Sequence, residues 1–196
     1  MSMPEIKFLP VSWTRLKEIC FNLAKKILEK DLQFDRIICV SRGGLVIARI
    51  FSDYLKLPIS TFTIVSYSKL GESGEPKIVE PLKVDIKNEK VLLIDEIVDK
   101  GTTLSRAISY LQDFSPQIIT TLAPFVKSWS QPLPDFWQVK TDKWVIFPYE
   151  TRETIEELIL ILGKNHLSLK EIKIRLIKLG FGDNEVNYFL KKLNRL

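Results

Sequence analysis

One histidine and two cysteines are all the imidazole and thiol metal ligands that 196 residues offer. A single imidazole excludes a multi-histidine metal centre, and two thiols cannot build a zinc site. His166 falls well outside the segments that carry chemistry, so histidine catalysis is not expected. Cys20 sits on the apolar face of a predicted helix and Cys39 in a predicted strand, which makes both core thiols. No apolar run approaches the roughly 18 residues that span a bilayer. The N-terminus, MSMPEIKFLP, has neither the basic nor the apolar region of a signal peptide, so a cytoplasmic globular protein without a membrane partner is expected. No internal repeat is visible. No GxGxxG follows a strand, and Lys100-Gly101-Thr102 reverses the order that a Walker loop requires.

Excess charge is also missing over most of the chain. Residues 1–163 hold 21 Lys+Arg and 21 Asp+Glu, while 164–196 hold 8 and 3, so the whole net charge of +5 belongs to the tail. A basic tail fits a solvated lysine-rich helical face, an acidic partner or nucleic acid.

What is present alternates between apolar runs and amphipathic helices. A helix is predicted from about Ser12 to Glu29, with Trp13, Leu16, Ile19, Cys20, Leu23, Ala24, Ile27 and Leu28 on one face and Ser12 as its N-cap. A strand at 36–40, a helix at 44–55 and a strand at 59–65 follow. The segment SYSKLGESGEPK at 66–77 reads as a mobile loop, and apolar character resumes at 78–82. A strand at 91–94, a helix at 103–113 and a strand at 118–122 complete the pattern, which implies an α/β fold with a parallel twisted sheet flanked by helices. From Lys127 to Glu150 aromatics and proline are dense. Trp129, Phe136, Trp137 and Phe147 are expected to form a cluster over the sheet, with a strand at 144–147. After Tyr149 the pattern is helical: Thr151 or Thr154 caps one helix, Thr154 and Glu157 having capping-box spacing; Ser168 caps a second that stops at Gly180; Asp183 caps a third. The domains are accordingly drawn as a core at 1–150 and a small C-terminal helical extension at 151–196.

The chemistry concentrates in Val91–Leu104, VLLIDEIVDKGTTL. Val91 to Ile94 form the continuous apolar run of a strand buried on both faces, and three acids with a Gly-Thr-Thr loop separate it from the next helix. Asp95 and Glu96 can accept from vicinal hydroxyls or hold a divalent cation, whereas the backbone amides of Asp99, Lys100, Gly101, Thr102 and Thr103 can wrap an anion at a helix N-terminus. Acids repel phosphate. A ligand with hydroxyls toward the acids and phosphate toward the glycine loop is a ribose 5-phosphate.

This segment resembles the motif by which type I phosphoribosyltransferases bind 5-phosphoribosyl 1-pyrophosphate (PRPP), an acidic pair leading into a loop that ends Thr-Gly-x-Thr. Lys100 stands where that family has Thr or Ser. Ser41-Arg42-Gly43-Gly44, after the first sheet strand, resembles the family's pyrophosphate loop. The resemblance covers about three quarters of the chain, and the fold it implies is the one read from the pattern. It implies a purine phosphoribosyltransferase, a pentosyl-transferring glycosyltransferase of purine salvage. PRPP and a purine base would give a nucleoside 5′-monophosphate and pyrophosphate. Asp95 and Glu96 would hold the ribose hydroxyls and help to place Mg²⁺. Asp99 would accept or return a proton at the imidazole side of the base, and the loop at 66–77 would close over the site. Lys127 resembles the lysine that donates to the exocyclic oxygen of a 6-oxopurine, with Ser128 at a position often held by proline. Trp144, Val145 and Ile146 resemble the element that stacks on the base and bonds its edge. A homodimer or larger homo-oligomer is implied, and nucleic acid is not an expected partner. Hypoxanthine, guanine or xanthine is favoured over adenine. The competing reading is a PRPP-sensing regulator on the same fold that binds nucleic acid through its basic tail.

Overall fold

The computed structural model describes residues 7–65, 68–69, 72–164 and 167–193. Its contacts group the chain into two units, residues 17–142 and residues 1–16 together with 143–196.

The 17–142 unit is built on a five-stranded sheet. Most of α1 (Trp13–Glu29) belongs to it, followed by β2 (Arg36–Ser41), α2 (Gly44–Leu55) and β3 (Ile59–Val65), while β1 (Phe8–Pro10) belongs to the other unit. After the short pair β4 (Ser68–Lys69) and β5 (Glu72–Ser73) come β6 (Lys77–Glu80), β7 (Lys90–Ile94), β8 (Ile97–Val98), α3 (Thr102–Gln112) and β9 (Ile118–Leu122). β10 (Phe125–Val126) and β11 (Val139–Lys140) end the unit. The sheet order is β6-β3-β2-β7-β9, with β3, β2, β7 and β9 parallel and β6 antiparallel on the edge. α2 carries the chain from β2 outward to β3, and α3 carries it from β7 outward to β9. The connections therefore diverge at the β2–β7 boundary, the topological switch where a crevice opens at the strands' carboxyl ends. Cys39 of β2 is in register with Ile94 of β7, so the loops leaving both strands emerge side by side.

Burial explains why these segments form. Val91, Leu92, Leu93 and Ile94 are fully covered, as a central strand flanked on both faces requires. Leu16, Ile19, Cys20, Leu23, Ala24 and Ile27 are the buried face of α1, and the Ser12 hydroxyl accepts from the Arg15 amide at 3.1 Å. Trp13 and Leu28, which the helical period also gathered onto that face, are exposed at the two helix ends. Both cysteines are free and buried, and burial pushes each thiol up to about 12. Of the lid expected over 66–77, residues 66, 67, 70 and 71 lie outside the described residues, as does His166. Within that span β4 and β5 pair antiparallel.

In the other unit β1 pairs in parallel with β12 (Trp144–Ile146), Phe8 opposite Trp144. Three helices follow: α4 (Thr151–Lys164), α5 (Leu169–Lys178) and α6 (Asp183–Leu193). Ile146, Ile155, Leu158, Leu162, Ile172, Leu176, Val186 and Leu190 share one core. The last helices therefore pack with the strand that carries Ile146, and contacts part the chain after Asp142 where the sequence reading placed a boundary at 150. Ser168 caps α5 as expected and does so in a capping box with Glu171, and Gly180 ends α5 at φ +99°. Thr154 is no cap: α4 starts at Thr151, so Thr154 lies buried in its first turn and donates its amide to the Glu150 carbonyl at 2.9 Å. Asp183 is likewise the first residue of α6 and not its cap; it pairs with Lys173 at 2.8 Å. No helix among the described residues is long and apolar enough to cross a membrane.

Candidate active site

At the end of β7 the chain leaves the sheet with two acids. The Asp95 amide donates to the Leu122 carbonyl at 3.0 Å, which fixes the exit to β9, and Asp95 Oδ1 accepts from the Glu96 amide at 2.8 Å. Surrounding protein raises the Asp95 carboxyl to about 6, against the lowering effect of that amide. Glu96 reaches across to the loop after β2: a Cβ on Gly43 would lie 2.6 Å from Glu96 Cδ, and one on Gly44 would lie 2.6 Å from the Ile94 carbonyl oxygen. At Gly44, where the neighbour is backbone, only glycine lets the two loops approach this closely. Ser41-Arg42-Gly43-Gly44 and Asp95-Glu96 are thus one contiguous surface at the switch point. The Ser41–Arg42 peptide is cis. Ser41 Oγ lies 2.9 Å from Thr63 Oγ1, and α2 starts at Gly44 with no side-chain cap. Arg42 is exposed at the mouth of this loop.

The second half of the motif is held from the side. β8 pairs with β10, and β10 with β11, which sets residues 99–103 beside 127–131. Gly101 has φ +90° and faces the Gln131–Pro132 peptide so closely that a Cβ would lie 2.8 Å from Pro132 N. The Gln131 amide donates to the Lys100 carbonyl at 3.3 Å. α3 begins at Thr102 without a side-chain cap, so its first amides, with Thr102 and Thr103, face the loop as an anion site would. Lys100 is exposed on that loop.

Beyond it lies a cluster of five side chains. Lys127 is buried, 8% exposed, and burial lowers the pKa of its ammonium while the charges of Asp99 and Asp142 act in the opposite sense. Asp99 Oδ1 accepts from the Trp129 indole N–H at 2.7 Å. Lys127 Nζ is 5.9 Å from the centroid of the same indole. Ser128 donates to Asp142 Oδ1 from its amide at 3.3 Å and also from its hydroxyl. Ser128 is thus anchored to Asp142, and Lys127 stays turned inward.

Trp129 corrects the expected aromatic cover. It is 52% exposed and bound to Asp99, whereas Phe136 is buried and Trp137 packs on the sheet's core. Phe147 belongs to the other unit, stacked on Tyr149 at 5.3 Å. Trp144, Val145 and Ile146 also lie in that unit, with Trp144 39% exposed and Val145 and Ile146 buried. Ser130 is the other residue missed: its hydroxyl lies 2.7 Å from the Val98 carbonyl and 2.6 Å from that of Asp99. The polar run Ser128-Trp129-Ser130 next to Lys127 was the available signal.

The model of the phosphoribosyl transferase domain matches residues 12–154. The chain belongs to the type I phosphoribosyltransferase family. This phosphoribosyltransferase is 32% identical over 152 residues to a xanthine-guanine phosphoribosyltransferase of Desulfotalea psychrophila, covering 72% of the chain and 86% of that protein. A xanthine-guanine phosphoribosyltransferase of Gluconobacter oxydans is 28% identical, with 74% and 86% covered. The crystal structure of a purine phosphoribosyltransferase from Pyrococcus horikoshii superposes with a TM-score of 0.65 at 29% identity, over 72% of this chain and 93% of that one. The match at 12–154 contains both loops, Lys127 and Trp144–Ile146; α5 and α6 lie past its end.

Proposed function

We propose that this phosphoribosyltransferase serves purine salvage, moving the 5-phosphoribosyl group of PRPP to a 6-oxopurine with release of pyrophosphate. The observation that carries the reading is the contact of Glu96 with Gly43, which joins an acidic pair to a glycine loop at the sheet's switch point. Asp95 and Glu96 accept from the ribose hydroxyls, and the amides at the start of α3 receive the 5′-phosphate. Arg42 and the Gly43-Gly44 backbone hold the pyrophosphate as charge collects on it, and the sugar carbon passes through an oxocarbenium-like state. Lys127 donates to the exocyclic oxygen of the base, and Asp99 takes the proton that the incoming nitrogen sheds. The buried ammonium of Lys127 and the names of the relatives both favour a 6-oxopurine over adenine.

Among the described residues no group of three His, Cys, Asp or Glu side chains is arranged to hold a metal. Two adjacent carboxylates nevertheless suit Mg²⁺, which is commonly held by one or two protein carboxylates, water and substrate phosphates. Asp95 and Glu96 are those carboxylates, and the chemistry a bound Mg²⁺ supplies is charge neutralisation on the pyrophosphate. The same reading makes the protein a cytoplasmic enzyme that works as a homodimer or larger homo-oligomer. Incubation with PRPP, Mg²⁺ and each of hypoxanthine, guanine, xanthine and adenine tests it. Nucleotide and pyrophosphate are expected with at least one 6-oxopurine, and no product with any base would overturn the proposal.

A further inference from the structure

Trp129 is exposed over half its surface, which burial alone does not explain for so large an apolar side chain. The indole N–H is a donor with no acceptor capacity, and it is spent on Asp99 Oδ1 at 2.7 Å. That bond uses one carboxylate oxygen and leaves Oδ2 for the base. Two positions on, the Ser130 hydroxyl lies 2.6 Å from the Asp99 carbonyl oxygen, and the Ser130 amide closes a turn onto the Lys127 carbonyl at 3.3 Å. The Lys127 amide in turn donates to the Val98 carbonyl at 3.1 Å. One tight turn, Lys127-Ser128-Trp129-Ser130, therefore grips Asp99 by both backbone and side chain while presenting Lys127 from its first position. Without the indole, a carboxylate on an exposed loop rotates among its rotamers.

We propose that Trp129 is a positioning residue: its indole N–H fixes the Asp99 carboxylate relative to the Lys127 ammonium, so that a purine is met at its imidazole side and its exocyclic oxygen in one orientation. This rests on the reading of Asp99 as the proton acceptor. Steady-state kinetics of wild type, W129F, W129A, D99N and D99N/W129F, with PRPP and the best 6-oxopurine, test it. W129F and W129A are expected to lose about tenfold in kcat with KM for PRPP changed by less than about twofold. The two should agree within about twofold, because both lack the N–H and only one lacks the ring. D99N/W129F is expected to be no slower than D99N. A wild-type kcat in W129F, a much slower W129A, or losses that multiply in the double variant would overturn the positioning role and leave the transferase reading intact. A wild type that turns over no base would overturn both.

Discussion

The sugar-phosphate end of this site and its base end are built in different ways. Asp95 and Asp99 stand four positions apart, on either side of β8. Asp95 is enclosed at the end of a central strand, pinned by its own backbone to β9, and its carboxyl is raised to about 6. Asp99 is exposed and takes its orientation from an indole that belongs to another turn. On the proposed function, the sheet itself fixes the groups assigned to PRPP, whereas side chains from short, weakly paired segments fix the groups assigned to the base. The proposed function thus ties binding of the shared substrate half to the core and places base selection on structure that can change without disturbing it.

The most severe way to break that contrast is Gly101→Ala. Gly101 joins the two ends, at φ +90° with the Pro132 nitrogen 2.8 Å from where a Cβ would stand. The substitution is expected to cost about 3 kcal/mol or more in urea denaturation and to abolish turnover, since both backbone and neighbour must move. Leu176→Ala acts on the other unit. Leu176 is fully buried in the core shared with Ile146, so a loss of about 2–5 kcal/mol is expected.

A smaller effect sharpens the account of Asp95. In the folded protein it keeps its proton up to about pH 6, whereas its ordinary value is 3.8. The folded state then binds more protons between those values, so this group's contribution to stability falls as pH rises through the window and stays unfavourable above it. Without PRPP and in EDTA, Asp95→Asn should therefore melt above wild type at about pH 8, by on the order of 2 kcal/mol, the two converging near pH 4. A variant that loses function while gaining stability marks a group held for chemistry.

The sugar end was legible in the sequence because its signals are local. A continuous apolar run reads as a buried strand, the acids follow it directly, and the Gly-Thr-Thr junction opens an amphipathic helix; α2, β3 and β9 matched their expected bounds. Much of the base end was not legible. β8, β10 and β11 are two residues long, too short to show a period, and they pair across distant positions. The density of aromatics suggested packing, and Trp129 was assigned to it. Its actual partner becomes visible only when β10 brings Lys127 beside Val98. β1 escaped notice for a similar reason, since its pairing with β12 joins segments far apart in the chain.

Whether Asp95 holds substrate while Asp99 performs the transfer is tested most directly by measuring two quantities on Asp95→Asn and Asp99→Asn: calorimetric affinity for PRPP with Mg²⁺, and the single-turnover rate with saturating base. Asp99→Asn is expected to bind PRPP as wild type does and to transfer about 10²-fold or more slowly, while Asp95→Asn loses affinity. Equal losses of affinity and rate in Asp99→Asn would contradict the division of labour between the two ends.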